Sequence, residues 1–194
     1  GKDKVNLFAV SHGGQVTATY LNLYGEKGDV DNAVMTVPAI GGAGIAFDAL
    51  MATVEFDEEC LVRFVENGTM TEENYNWLVK AQQLGFVDTL LNTLFPKIFP
   101  VIGYWGSLWD FIPLDRYEEA KATLLDPEES AALIEKCDRF HYEILPSMNE
   151  KLNKLIDNGM NISIIAGTGN RIVTGMNVNS DGIITTPAST GATC

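Results

Sequence analysis

A serine beside a histidine, set between small residues, is the feature of this sequence that most directly indicates chemistry. The stretch Ala9-Val10-Ser11-His12-Gly13 follows a short apolar run and precedes a second glycine. A serine with small residues two positions before and after it is typical of a nucleophile elbow, the sharp strand-to-helix turn that exposes a reactive hydroxyl. The pattern therefore predicts that Ser11 is the nucleophile of an acyl-transfer reaction.

The residues around Ser11 are expected to contribute backbone groups rather than a catalytic side chain. The backbone N–H of His12 would begin the helix and donate to a developing oxyanion. The His12 imidazole, as the immediate neighbour of Ser11, points away from the position of a general base, so we interpret it as a variable residue that lines the pocket. The alternative interpretation is that Ser11 only caps the helix, while Gly13 and Gly14 form a turn.

A nucleophile of this kind needs a parallel sheet with helical connections to hold it. The apolar run 4–10 predicts a buried strand, and helical spacing follows until Gly25, which is expected to end the helix. Residues 33–37 predict a second strand, which completes a β-α-β unit. Strand character returns at 161–167 and again at 182–186. The sequence thus predicts one α/β domain over residues 1–194.

A long helical insertion interrupts this sheet pattern. Helices with acidic surfaces are expected from about residue 45 to 158, and the part from about 45 to 142 is interpreted as a cap or lid. Apolar residues cluster at 86–113, and they are either ordinary core or the wall of an acyl-chain pocket. Lys97, Asp110 and three prolines interrupt the most apolar window, so it predicts no transmembrane helix.

Composition excludes several classes of function. The formal net charge is -13, which disfavours any binding that depends on neutralising phosphates, so no nucleic-acid partner is expected. The three cysteines, Cys60, Cys137 and Cys194, lie far apart without metal-ligand spacing. They are expected to be ordinary core or surface residues.

Four stretches together resemble the α/β-hydrolase family, in particular its lipase branch with the lecithin:cholesterol acyltransferase type. The stretch "AVSHGGQVTATYL" resembles the elbow and its helix, and "AVMTVPAIGGAG" is similar to the strand that follows. "GSLWDFIPLDRY" resembles a segment of the cap, and "NSDGIITTPASTGA" is similar to the loop that carries the catalytic acid. The resemblance implies an α/β-hydrolase fold, a mostly parallel three-layer sheet structure with a helical cap.

The resemblance also implies a catalytic triad, with Ser11 as nucleophile and Asp181 as acid. Asp181 follows a returning strand, although Asn-Ser-Asp-Gly is also a strong turn sequence. The family's histidine comes after the acid, and none follows Asp181 here, so we expect a fragment that begins at the elbow strand and stops before the base. His141, in a charged stretch, is expected to be a solvated or partly buried helix residue. Asp48 and Asp157 are weaker candidates for the acid.

The function expected from these residues is that of a serine hydrolase, either an esterase or lipase or an acyltransferase, acting on lipid or other apolar acyl esters. The resemblance implies neither a cofactor nor a metal. The alternative is a catalytically inactive hydrolase-like domain that binds an apolar ligand or a protein partner. The sequence assigns no compartment, oligomeric state or acyl-chain length.

Overall fold

The computed structural model describes residues 4–51, 53, 56–87, 89–90, 93, 97, 103, 105–169 and 180. Its strands are β1 (Val5–Val10), β2 (Val30–Thr36) and β3 (Asn161–Ile165). They form a parallel sheet in the order β1-β2-β3. The described part of the chain is therefore α/β, as the sequence predicts, and the three predicted strands that it covers are present. The strand expected at 182–186 lies outside the described residues.

The sheet carries its core on one face. Alternate strand residues such as Ala9, Ala33 and Met35 are buried against helices, as the two-residue period of a strand requires. Those helices are α1 (His12–Tyr24) and α8 (Leu145–Asp157), which contact each other and the strands. Parallel strands place their carboxyl ends at one edge of a sheet. Ser11, which follows β1, consequently lies at that carboxyl edge.

Between β2 and α8 the described residues are mainly helical, as predicted. Asp57 and Thr71 cap two of these helices by accepting hydrogen bonds from the backbone N–H groups of Cys60 and Asn74 at 2.9 and 3.2 Å. A second apolar core forms around Trp109 and Tyr117. The helices whose bounds are described are α2 (Gly44–Leu50), α3 (Glu58–Glu66), α4 (Glu72–Gln83), α5 (Gly106–Trp109), α6 (Leu114–Leu124) and α7 (Ala131–Arg139), followed by a π-helix (Phe140–Ile144).

The predicted start of the second strand was wrong, and packing explains the difference. Strand β2 begins at Val30 rather than at residue 33, because Val30 is buried in the core and Asn32 bonds to neighbouring strands on either side. Helix α1 ends at Tyr24 with Gly25 as its C-cap, as predicted, and the chain continues through a 3-10 turn to Gly28, which has the left-handed φ of 73°. Gly25 is required for a different reason, since a Cβ there would lie 2.4 Å from a Cδ atom of Leu155.

The sequence between Asp126 and Gly159 is helical from Ala131 to Asp157, in one run that includes a π-helical turn. The Asp126 carboxylate accepts backbone hydrogen bonds at 2.9 Å from the two glutamates that follow Pro127, and α7 begins only after this turn. A π-helix then precedes Pro146, which lacks an N–H and cannot continue a regular hydrogen-bond ladder. Gly159, at φ 94°, follows the end of α8 as predicted.

Within the described ranges, every helix is too short or too polar to cross a lipid bilayer. Eleven of the 24 residues in the apolar window at 90–113 lie outside these ranges.

Candidate active site

Ser11 occupies a strained backbone conformation at the junction of β1 and α1. Its φ is 53° and its ψ is -122°, a region that side-chain-bearing residues rarely adopt. The Ser11 N–H donates to the carbonyl of Thr36 at 3.1 Å, so the turn remains attached to β2. The residue is exposed. The strand, turn and helix predicted around Ser11 are therefore present, with the serine at the apex of the turn.

The turn after β2 is hydrogen-bonded to the Ser11 turn and to the end of β3. Val37 also has a positive φ, 42°, and its N–H donates to the carbonyl of Ile165 at 2.7 Å. The carbonyl of Ser11 accepts hydrogen bonds from Gly14 at 2.9 Å and from Ala39 at 3.3 Å. Hydrogen bonds thus join the turns that follow β1 and β2, which explains how a strained serine can persist.

The close approach that requires a glycine lies at Gly14 rather than at Gly13, the small residue of the elbow pattern. A Cβ on Gly13 would meet the Ala9 Cβ at 3.8 Å, which is an ordinary contact. A Cβ on Gly14 would lie 2.2 Å from the Pro38 Cβ and 2.8 Å from its Cα. Helix α1 therefore crosses the turn after β2 at Gly14. The alternative of helix capping lacks its defining bond, because the Ser11 side chain makes no cap hydrogen bond among the described residues.

His12 begins helix α1, as predicted. The first N–H groups of a helix have no intrahelical acceptor, so the His12 N–H is available to an oxyanion beside Ser11. Its ring packs on Phe111, with 4.7 Å between the ring centroids. The buried Nδ1 has no hydrogen-bond partner within the residues that the structure describes. Phe111 was not a sequence-based candidate.

Gln15 is a second residue that sequence reasoning missed. Its side chain is buried, and its Nε2 donates to the carbonyls of Asp110 at 2.8 Å and Ile40 at 3.4 Å. The apolar spacing of α1 gave no signal for a buried amide, and Val16, which belongs to that spacing, is exposed. Gln15 connects the elbow helix to the cap segment, and only the folded chain reveals this.

Asp110 belongs to the same segment and carries a perturbed carboxyl group. Burial raises the pKa of Asp110 to about 6, because removal from water disfavours the charged form. Its carboxylate makes no hydrogen bond or ion pair with any other residue that is described. The structure thus places a weakly acidic carboxyl beside the elbow helix, on the residue whose carbonyl Gln15 binds.

His141 is fully buried, so the prediction of a solvated or partly buried residue was wrong. Its Nδ1 and Nε2 each lie 2.9 Å from a carbonyl oxygen, those of Cys137 and Ile112 respectively. Its ring stacks on Tyr117 at 3.9 Å. Burial lowers the pKa of His141, although the two carbonyls favour the protonated form. Because both ring nitrogens are occupied, His141 has no free nitrogen for Ser11.

The predicted acid, Asp181, lies outside the described residues, and its neighbour Ser180 is buried. Asp48 lies within α2 and is partly buried. Asp157 is exposed and ends α8 shortly before β3 begins, which places it at the amino edge of the sheet, opposite Ser11. Asp157 is therefore not beside the candidate nucleophile.

Some described residues of the apolar cluster at 86–113 are buried in the core, and others are exposed on the surface. Trp109 is fully buried in the second core, and its Nε1 donates to the carbonyl of Gly103 at 2.6 Å. Phe86, Leu90 and Trp105 are exposed. The other candidates for the pocket wall lie outside the described residues, namely Leu91, Leu94, Phe95, Ile98 and Phe99. Of the residues that can be assigned, Trp109 is thus core.

A cavity of about 370 Å³ lies at the other end of the sheet. Lys4, Val30 and Met160, at the amino ends of the strands, line it together with the ion-paired Glu26 and Lys154. A six-residue strand spans about 20 Å, so this cavity is separated from Ser11 by the length of β1. It is not part of the candidate active site.

Cys60 and Cys137 are buried, as expected for core residues, and Cys194 lies outside the described ranges. Across the described positions, no group of three or more histidine, cysteine, aspartate and glutamate side chains is arranged to hold a metal ion.

Comparison of the chain with protein-family models, with curated proteins and with solved structures finds no match. The case for function therefore depends on the geometry around Ser11.

Proposed function

We propose that the protein is a serine hydrolase or acyltransferase of the α/β-hydrolase fold that acts on carboxylic esters. The observation that carries the proposal is the backbone of Ser11, which has φ 53° and ψ -122° at the junction of β1 and α1. Strain of this kind costs energy, and it is found mainly where a site needs it. The sharp turn presents the Ser11 hydroxyl at the carboxyl edge of a parallel sheet, the edge at which ligands bind in open α/β folds.

The chemistry that follows is formation of an acyl-enzyme. The Ser11 hydroxyl attacks the ester carbonyl and gives its proton to a histidine base, which passes that proton to the leaving oxygen as the C–O bond breaks, so that the alcohol departs. Negative charge on the carbonyl oxygen is stabilised by the N–H of His12 and by the positive end of the 13-residue helix α1. Water or an alcohol then accepts the acyl group. None of these steps needs a cofactor.

The base is proposed to be a histidine that neither His12 nor His141 supplies. The His12 ring packs against Phe111, and both ring nitrogens of His141 contact carbonyls. The resemblance to α/β-hydrolases implies that Asp181 is the acid of the triad. Apolar acyl groups are the proposed substrates, because exposed aromatic residues such as Phe86 and Trp105 lie in the cap region.

Hydrolysis of p-nitrophenyl esters by the full native protein tests this proposal. Ser11→Ala should reduce turnover to background, because it removes the attacking oxygen. Ser107→Ala is the matched control, since Ser107 is another exposed serine near a helix N-terminus in the cap, and this variant should retain wild-type turnover. Ser11-independent turnover would contradict the proposal.

Substitution of the proposed acid tests the triad separately. Asp181→Asn should fold normally yet lose turnover by a factor on the order of 10⁴, the loss that follows when a triad carboxylate is replaced by an amide. Asp157→Asn is the control, because Asp157 lies at the opposite edge of the sheet, and it should be as active as wild type. Full activity in Asp181→Asn would show that the acid lies elsewhere.

A further inference from the structure

We propose that Gln15 is a positioning residue, which holds the cap segment Asp110–Ile112 against the elbow helix so that Phe111 covers the start of that helix beside Ser11. The importance of this contact for catalysis rests on the proposed function. The contact itself does not, and it can be tested without any assay of activity.

Three successive carbonyls of this segment are held from three different parts of the chain. The carbonyl of Asp110 accepts from Gln15 Nε2 at 2.8 Å, and the carbonyl of Phe111 accepts from the N–H of Ala43 at 2.8 Å. The carbonyl of Ile112 lies 2.9 Å from His141 Nε2. Of these three contacts, only the one from Gln15 comes from the helix that follows the candidate nucleophile. It is therefore the hydrogen bond, among these three, that links the segment Asp110–Ile112 to helix α1.

The orientation of the Gln15 amide is fixed by its surroundings. Both atoms near Nε2 are carbonyl oxygens, those of Asp110 and Ile40, so the NH₂ group must face them. The amide oxygen Oε1 is then buried without a hydrogen-bond partner in the described part of the chain. Leaving an acceptor buried costs about as much as the two neutral hydrogen bonds gain. The buried amide thus adds little net stability, and what it provides is a defined position for the segment.

The segment also determines where Phe111 lies. Its ring packs on His12, the residue whose N–H is proposed to stabilise the oxyanion. His12 and Gln15 are three residues apart on α1 and so share one face of the helix. The same short segment therefore contacts both residues of that face, through the Phe111 ring and the Asp110 carbonyl. Loosening the Gln15 contact should free Phe111 to move away from the elbow.

The test is hydrogen exchange of the peptide covering residues 106–112, measured in the full native protein. Gln15→Met keeps the side-chain length but donates no hydrogen bond, so exchange of this peptide should become about five- to tenfold faster, while the thermal midpoint stays within about 3 °C of wild type. Asn22→Leu is the control. It removes comparable hydrogen bonds from the same helix, to Ile144 and Ser147, and should leave the 106–112 peptide unchanged.

A conservative variant gives a second readout. In Gln15→Glu the introduced carboxyl can donate to the Asp110 carbonyl when protonated but not when ionised, and burial favours its protonated form. Exchange of the 106–112 peptide, corrected for its intrinsic pH dependence, should be near wild type at pH 5 and resemble Gln15→Met at pH 8. Because Asp110 and His12 also face this region, each value is compared with wild type at the same pH.

The outcomes separate this inference from the proposed function. Faster exchange confined to residues 106–112, with recovery at low pH, supports it even if the protein hydrolyses no ester. Unchanged exchange in Gln15→Met would overturn it. A uniform rise in exchange across the whole chain would overturn it too, because the amide would then only contribute to overall stability.

Discussion

Replacing Gly14 by alanine tests the geometry of the elbow most sharply. The added Cβ would lie 2.2 Å from the Pro38 Cβ and 2.8 Å from its Cα, whereas non-bonded carbon atoms prefer about 3.5–4.0 Å. Pro38 is fully buried and follows Val37, which already has a positive φ of 42°. Neither a ring nor a strained backbone can move away at small cost, so the overlap must be relieved by shifting α1 from the sheet.

The expected loss combines two opposing effects. Overpacking of this kind costs about 1–3 kcal/mol, and the rigid neighbour places the cost at or above the upper end. Alanine in place of glycine in a helix gains about 1 kcal/mol of intrinsic preference. The free energy of unfolding should therefore fall by about 2 kcal/mol. At a denaturant slope of about 2 kcal/mol/M, the urea midpoint falls by about 1 M.

Gly13→Ala is the matched control for this substitution. The Gly13 Cβ would meet only the Ala9 Cβ, at 3.8 Å, and the position is exposed, so the helical preference of alanine should raise the urea midpoint slightly. Urea unfolding followed by circular dichroism measures both variants. Equal midpoints for the two variants, or a stabilised Gly14→Ala, would refute the close approach of α1 to Pro38.

Three further substitutions test other parts of the account. Ser11→Gly should be more stable to urea than Ser11→Ala by about 1 kcal/mol, because glycine relieves strain of about 1–3 kcal/mol and loses less than that in chain entropy. The folded-state pKa of Asp110 is raised from 3.8 to about 6, so the contribution of Asp110 to the free energy of unfolding should fall as pH rises from 4 to 6. The raised pKa corresponds to a destabilisation of about 3 kcal/mol, and partial exposure of the carboxyl reduces this value. The free energy of unfolding of Asp110→Asn should therefore exceed that of wild type by about 1–2 kcal/mol at pH 7.5 and equal it at pH 4. His141→Ala should lower the free energy of unfolding by at least about 2 kcal/mol in urea melts, because it empties a buried site and removes both carbonyl contacts.

The elements that hold the candidate site could be predicted from local sequence signals. The apolar run before Ser11, the small residues around it and the helical spacing after it each act within a few residues. Together they located the strand, the turn and the helix. The same holds for β3, whose alternating apolar residues were recognised as a strand.

What the sequence could not predict depends on contacts between distant residues. Gln15 and Asp110 are separated by 95 positions, and no local pattern marks either as a partner of the other. The requirement for glycine falls at Gly14 because of Pro38, which belongs to the next strand's turn. His141 lies in a charged stretch, but Tyr117 from α6 and the Ile112 carbonyl bury its ring. Charge density in the sequence was a poor guide there, because only one face of the helix is exposed.

The most direct measurement of the central claim is the site of covalent modification by a fluorophosphonate probe. An activated serine hydroxyl attacks phosphorus as it attacks an acyl carbon, so the full native protein should gain one adduct. Peptide mass mapping should place that adduct on Ser11, and Ser11→Ala should abolish it while Ser107→Ala retains it. An adduct on Ser107, or a wild-type protein that remains unmodified under conditions that label known serine hydrolases, would contradict the assignment of Ser11 as the nucleophile.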